Sequence, residues 1–408
     1  MNRRLIFIFS FCILFSAHNA SFGMDQIDIH GFISQGFIKS TGNDVLPDST
    51  DGSFEMNELG INFTTQVNPS LRMGAQFFAR DYGDYGNDQV NLDWAFADYD
   101  YKSWLGIRAG RMKVLSGLYN SSRDIASTRT FIMLPGIYME SFREMFVGMK
   151  GVGAHGYLPY GFSYLFSFGA IDNPSNYKDS FLFETLLPLT FAGSAAKMTG
   201  LSPSDFTNIR PLSVSWQNST NIGLFWDTPL SGLRFSATYW AGRAETEMAF
   251  EMKGVPLTEN VVFEEISARV VSAEYSFLST TVAVEYMEAP FYAKGQPKRK
   301  VESYYTSITH RLNNLVELGV YYSELYPHYD DKDGSEQREG PISHLYWCKD
   351  LCYTVRFDIS YNWIFKLEGH VLDGAAFVPE VYKEYSKTYS EEGPRHWEIY
   401  LAKLSYSF

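Results

Sequence analysis

Cysteine is scarce in this chain. Only Cys12, Cys348 and Cys352 occur among 408 residues, too few for a disulfide-built scaffold. Long apolar runs are scarce too. After Leu5 to Phe15 no stretch approaches the ~20 apolar residues that a membrane-spanning helix requires, which excludes a helical membrane protein. Charged residues make up 20% of the chain, and 47 Asp and Glu outnumber 34 Lys and Arg. The formal charge of −13 excludes nucleic acid as a partner, because binding there needs a basic face. Catalytic signatures are missing as well. The eight His have no His-Glu-x-x-His spacing, and no Gly-x-Ser-x-Gly elbow occurs. No second Cys or His pair has zinc-ligand spacing. Neither an enzyme, nor a metal, nor a cofactor is expected.

What the chain has in quantity is aromatic residues, 17% with Tyr 28 and Phe 32, at a mean hydropathy of only −0.19. A β-barrel in lipid has this balance, since aromatic girdles and an apolar outer band are offset by a polar inner wall. The start of the chain agrees with export. Asn2-Arg3-Arg4 is basic, Leu5 to Phe15 is almost unbroken apolar sequence, and Ser16 to Gly23 is small and polar. That order is a secretory signal peptide over residues 1–23, with Ser21 and Gly23 at the positions the peptidase reads. Losing Arg3 and Arg4 takes the charge from −13 to −15 for a mature domain of residues 24–408. Cys348 and Cys352 survive cleavage. A loop would let them pair, whereas four places along an extended strand would hold them too far apart.

The mature sequence alternates with a period of two. Phe162, Tyr164, Phe166 and Phe168 share one parity, with Ser163, Ser167 and Gly169 on the other. Leu233, Phe235, Ala237, Tyr239 and Ala241 alternate with Arg234, Ser236, Thr238, Trp240 and Gly242, and Val355 to Tyr361 does the same. Each such segment has one face toward apolar matter and one toward water. Connections break the tie with a soluble sandwich. Short turns, such as Asn68-Pro69-Ser70, Leu158-Pro159-Tyr160 and Asn313-Asn314, are separated by polar stretches of ten residues or more. Tight turns at one end and long loops at the other mark a transmembrane barrel. The expected fold is all-β: a transmembrane antiparallel β-barrel of about sixteen strands, at 26–39, 54–67, 70–80, 90–101, 104–113, 145–157, 162–171, 213–227, 233–244, 266–276, 280–288, 302–312, 315–325, 351–361, 363–372 and 396–408. Residues 172–212 have room for one further hairpin.

Two stretches carry a family resemblance. The last strand places Tyr400, Ala402, Leu404, Tyr406 and Phe408 on one face, and this ending resembles the assembly signal of bacterial outer-membrane proteins. Gly110-Arg111-Met112-Lys113, followed by Gly117-Leu118-Tyr119-Asn120, Arg123-Asp124, Arg129 and Leu134-Pro135-Gly136-Ile137-Tyr138, resembles a run in outer-membrane porins of marine and related proteobacteria, distantly similar to phosphate-selective porins. The resemblance implies a homotrimeric channel in the bacterial outer membrane for small hydrophilic solutes and ions. It also implies contact with lipid and lipopolysaccharide, and delivery to the assembly machinery through Phe408. An anion-specific or phosphate-type channel is the alternative; an outer-membrane enzyme or a barrel with a closed lumen is the remoter one.

In trimeric porins the third outer loop folds into the lumen, and here strand counting makes that loop residues 114–144. It carries Arg123, Arg129 and Arg143 beside Asp124, Glu140 and Glu144, with Lys113 at its entry. Opposed charges in a narrow throat favour small polar solutes over apolar ones. On the wall, inward parity adds Arg72, Arg80, Arg108, Arg234 and Arg356 as a potential basic ladder for anions, interleaved with Glu274, Glu285, Glu317, Asp358 and Glu368 and joined by Lys366 and Lys403. Acidic loops such as Asp330-Asp331-Lys332-Asp333 and Glu391-Glu392 argue against phosphate selectivity. The simpler reading is that the inward charges keep the lumen wet.

Overall fold

The computed structural model describes residues 27–46, 48–83, 85–145, 148–172, 180–335, 343–388 and 393–408. The signal peptide expected at 1–23, the pair Glu391-Glu392 and the side chain of Glu144 lie outside the described residues. Sixteen strands follow in order: β1 Asp28–Thr41, β2 Met56–Asn68, β3 Leu71–Tyr82, β4 Asn91–Lys102, β5 Leu105–Lys113, β6 Gly148–Tyr157, β7 Phe162–Ile171, β8 Phe206–Asp227, β9 Leu233–Met252, β10 Val255–Phe277, β11 Thr280–Ala293, β12 Arg299–Arg311, β13 Val316–Tyr326, β14 Cys348–Asp358, β15 Trp363–Gly374 and β16 His396–Ser407. Each pairs with its sequence neighbours, and β1 pairs antiparallel with β16 to close the barrel. The seam ends on the last residue: Gly31 and Phe408 exchange backbone hydrogen bonds of 3.0 and 2.9 Å. Closure removes the sheet edge that a lipid-facing strand could not leave unpaired. No helix among the described residues is long and apolar enough to cross a membrane.

The alternation sorts as the sequence implies. Phe162, Phe166, Phe168 and Phe235 are 40–46% exposed on the outside, while Ser167, Ser236 and Thr238 are buried on the inside. The outer face continues with Ile33, Leu224, Val271, Val284, Tyr353 and Leu404, all well exposed. A soluble monomer rarely displays apolar surface on this scale.

One expectation is corrected and two alternatives that the sequence leaves open are resolved. The first concerns 245–265, which lies between the expected strands 233–244 and 266–276; the segment, with Glu245, Glu247, Glu251 and Glu259, is paired strand, with β9 and β10 in register from Val255↔Met252 downward. Strand beyond the hydrocarbon has no need of an apolar face, so charge there does not signal a loop. Lys253 (φ 51°) and Gly254 (φ 80°) turn the hairpin in two residues, the positive-φ pair that matches strand twist. The second concerns 172–212. Its described part holds no extra hairpin; a π-helical turn at Leu182–Leu186 runs into helix α1, Leu187–Thr199. The third concerns the cysteines. Cys348 and Cys352 are both free on β14, and four residues of strand at ~3.3 Å each hold them about 13 Å apart.

Candidate functional site

The segment between β5 and β6 makes its hydrogen bonds with the inner face of distant strands. Leu115 N–H donates to Asn221 Oδ1 of β8 (2.8 Å) and Gly117 N–H to Thr238 Oγ1 of β9 (2.9 Å). Leu118 N–H reaches Glu285 of β11 at 2.9 Å, and Gly136 N–H reaches Ser323 of β13 at 3.1 Å. Ile132 and Met133 donate their N–H groups to the two oxygens of Glu368 on β15, each at 2.7 Å. In the other direction Lys366 Nζ donates to the carbonyls of Ala126 (2.8 Å) and Arg129 (2.7 Å), and Arg356 Nη1 to those of Ser127 and Arg129 (both 2.9 Å). Phe131, Ile132, Leu134, Ile137 and Tyr138 are buried in one apolar cluster with wall residues such as Tyr305, Tyr321 and Leu325. Arg356, Lys366 and Glu368 therefore hold this segment by its backbone, a role different from wetting the lumen or laddering anions.

The segment's own charges form one network with the near wall. Asp124 pairs with Lys113 and with Arg143. Glu140 pairs with Arg123, with Arg80 of β3 (2.7 Å) and with Arg143 (3.3 Å). Arg143 extends to Glu58 of β2 (3.5 Å), which pairs with Lys403 of β16 (2.5 Å). Lys113 also meets Asp93 at 3.1 Å. Among the described residues five cations thus meet four carboxylates. Arg129 stands apart from these pairs: among the described residues it makes no ion pair, and its buried Nε has no hydrogen-bond partner. Burial opposes ionisation of Asp124 and Glu140, yet Lys113 and Arg143 around the first, and Arg123, Arg143 and Arg80 around the second, hold both carboxyls well below the usual range.

A depressed carboxyl stabilises the folded state fully above its unfolded pKa and loses that contribution as pH falls through the folded value. The temperature at which the folded form converts on semi-native electrophoresis should therefore stay flat from neutral pH to about 4 and drop only below it. A decline already complete by pH 5 would contradict the pairing.

Arg72, Arg80 and Arg108 do not form one ladder. Arg72 and Arg108 converge on Asp98 of β4, at 3.2 and 2.6 Å, and both guanidinium groups lie near the Phe96 ring, at 5.8 and 4.3 Å. Arg80 belongs to the Glu140 network instead. Of the remaining wall cations, Arg234 pairs with Glu274 at 3.0 Å. A cavity of about 410 Å³ adjoins Arg72, Arg108, Trp94 and Phe96 on the wall and Ser121 and Ile125 on the segment.

Sequence reasoning missed Glu58, Asp93 and Asp98 as partners. Glu58 and Asp98 have inward parity and were open to detection. Asp93 was not, because it is the extra residue at a bulge where Gln76 pairs Trp94 and Phe77 pairs Leu92. Strict alternation points it at the membrane, whereas it is 2% exposed and accepts from Gln76 Nε2 at 2.7 Å. A bulge re-aims a side chain in this way.

The barrel is the fold of outer-membrane porins. Similar solved structures include the outer membrane channel DcaP of Acinetobacter baumannii (TM-score 0.57, 10% identity, covering 94% of this chain and 97% of that one). The anion-selective porin from Comamonas acidovorans (0.56, 12%, 94% and 99%) and OmpF of Salmonella typhi (0.56, 12%, 94% and 97%) are similar to the same degree. So is OmpT of Vibrio cholerae in a trimer form (0.55, 11%, 94% and 99%). No family description and no curated protein matches the sequence.

Proposed function

We propose that the mature chain is a passive diffusion channel of the bacterial outer membrane for small hydrophilic solutes and ions, without covalent chemistry or energy coupling. One observation carries the reading: a closed sixteen-strand barrel with aromatic and aliphatic side chains exposed outside and polar and charged ones inside. Residues 114–144 narrow the lumen, which their hydrogen bonds to β8, β9, β11, β13 and β15 support. Solutes pass the cavity between this segment and the wall bearing Arg72 and Arg108. The trimer form of the similar OmpT supports a homotrimer here. Lipid and lipopolysaccharide contact the outer face, and the assembly machinery engages the strand ending at Phe408. Planar-bilayer recording of refolded mature protein tests the proposal: ohmic steps are expected, and absence of conductance overturns it.

A mild anion preference is the second reading, favoured by Arg129, which makes no ion pair among the described residues. One charge about 6 Å from a passing ion is worth about 0.7 kcal/mol in water, roughly threefold in relative permeability. Arg129→Gln should shift the reversal potential in a salt gradient toward cations by that factor. Arg123 is bound to Glu140 and Asn120, so neutralising both arginines adds a structural disturbance to the same shift. An unchanged reversal potential in Arg129→Gln removes Arg129 from the throat.

A further inference from the structure

Cys352, Glu368 and His370 present a sulfur, a carboxylate oxygen and an imidazole nitrogen within 4.8 Å of one another. Register brings them together. Cys352 of β14 pairs directly with His370 of β15, and Glu368 precedes His370 by two residues, on the same face. All three are buried, at 0, 4 and 1% exposure. Asp350 accepts from His370 Nδ1–H at 3.0 Å and is itself held by the Tyr321 hydroxyl at 2.8 Å. That bond fixes the ring and aims Nε2 at Glu368 Oε1, 3.1 Å away.

The geometry points to a binding site for a divalent transition-metal ion of borderline softness, Zn²⁺ fitting best, with Cys352 Sγ, His370 Nε2 and a Glu368 oxygen as ligands. A sulfur, a nitrogen and an oxygen donor suit zinc, whose catalytic-type sites use three protein ligands and leave a fourth position for water. Calcium and magnesium take oxygen donors instead. A carboxylate on the far nitrogen of a ligating imidazole is the usual outer shell of such a site, and Asp350 occupies that place. Bond lengths of ~2.0–2.3 Å put tetrahedral ligand atoms about 3.3–3.8 Å apart, so the widest pair closes by about 1 Å. The ion replaces the thiol proton and the proton shared between Nε2 and Glu368, both released to solvent. A thiolate and a carboxylate then neutralise its two charges in a dry position.

A second grouping of this kind among the described residues, Asp98, Asp100 and His155, differs because Arg72 and Arg108 already claim Asp98. The Cys352 site stands independently of whether the barrel conducts. It also touches the segment at the lumen, since Glu368 accepts the Ile132 and Met133 amides.

Refolding the mature chain with Co²⁺ tests the assignment. Folded protein, verified by electrophoretic mobility, should bind one Co²⁺ per chain with a thiolate-to-cobalt band in the near ultraviolet, bleached by added Zn²⁺. Cys352→Ser should abolish the band, and Cys348→Ser should keep it. Asp350→Asn should weaken binding about 10–100-fold. His370→Gln gives a second ligand variant if Cys352→Ser fails to fold, and should lose tight binding. Folded wild-type protein without the band overturns the site, as does a band that survives Cys352→Ser.

Discussion

Replacing Glu285 and Glu368 together by glutamine should raise single-channel conductance roughly twofold and make the open level noisy, on the proposal that residues 114–144, a segment these two carboxylates hydrogen-bond, narrow the lumen. Glu285 accepts from Tyr138, from Leu118 N–H (2.9 Å), from Ser272 (2.6 Å) and from Tyr305 (2.8 Å). Glu368 takes the amides of Ile132 and Met133. A hydrogen bond to a charged acceptor contributes about 1.5–3 kcal/mol, and four of these six bonds come from the segment itself. Glutamine also turns an amide N–H₂ toward groups that donate. The barrel, whose pairing lies in the backbone, should keep its electrophoretic mobility. Unchanged conductance in a folded double variant would mean that residues 114–144 do not set the aperture.

Asp124→Asn should be the most destabilising single change at the site. Asp124 is 2% exposed and pairs with Lys113 and Arg143, of which Arg143 is also buried. The asparagine takes the shared carboxylate from between Lys113, left with Asp93, and Arg143, left with Glu140 and Glu58 at 3.3 and 3.5 Å. Removing one partner of a buried pair costs about 3–5 kcal/mol, against ~0–1 kcal/mol for an exposed one. Thermal conversion of the folded band should move down by many degrees, and the companion change Lys113→Met should restore part of the loss. A variant as stable as the parent would place these charges on a solvated loop.

Much of this architecture is legible in the alternation alone. Sixteen strands can be counted in the sequence, and the count puts residues 114–144 after the fifth strand, a segment in which Arg123, Asp124, Glu140 and Arg143 converge. Local patterns failed where the physics is non-local. The bulge at Asp93 reverses one side chain without a sequence mark. Cys352 and His370 lie 18 positions apart and meet only because β14 and β15 pair in one register. The upper halves of β9 and β10 are charged, so hydropathy ends the strands about where hydrocarbon would, although the hydrogen-bond ladder continues to Met252 and Val255. Lys366 and Arg356 read as lumen charges by parity, yet both donate to carbonyls more than two hundred residues away, Arg356 while also pairing with Asp358.

A single-layer tube is stiff along its strands and soft to squeezing across them. The hydrogen bonds from residues 115–136 to β8, β9, β11, β13 and β15 span that soft direction like a spoke. Lateral pressure from the surrounding bilayer would then be borne in part by this internal member, and the cross-section would keep its shape as lipid composition or membrane tension changes.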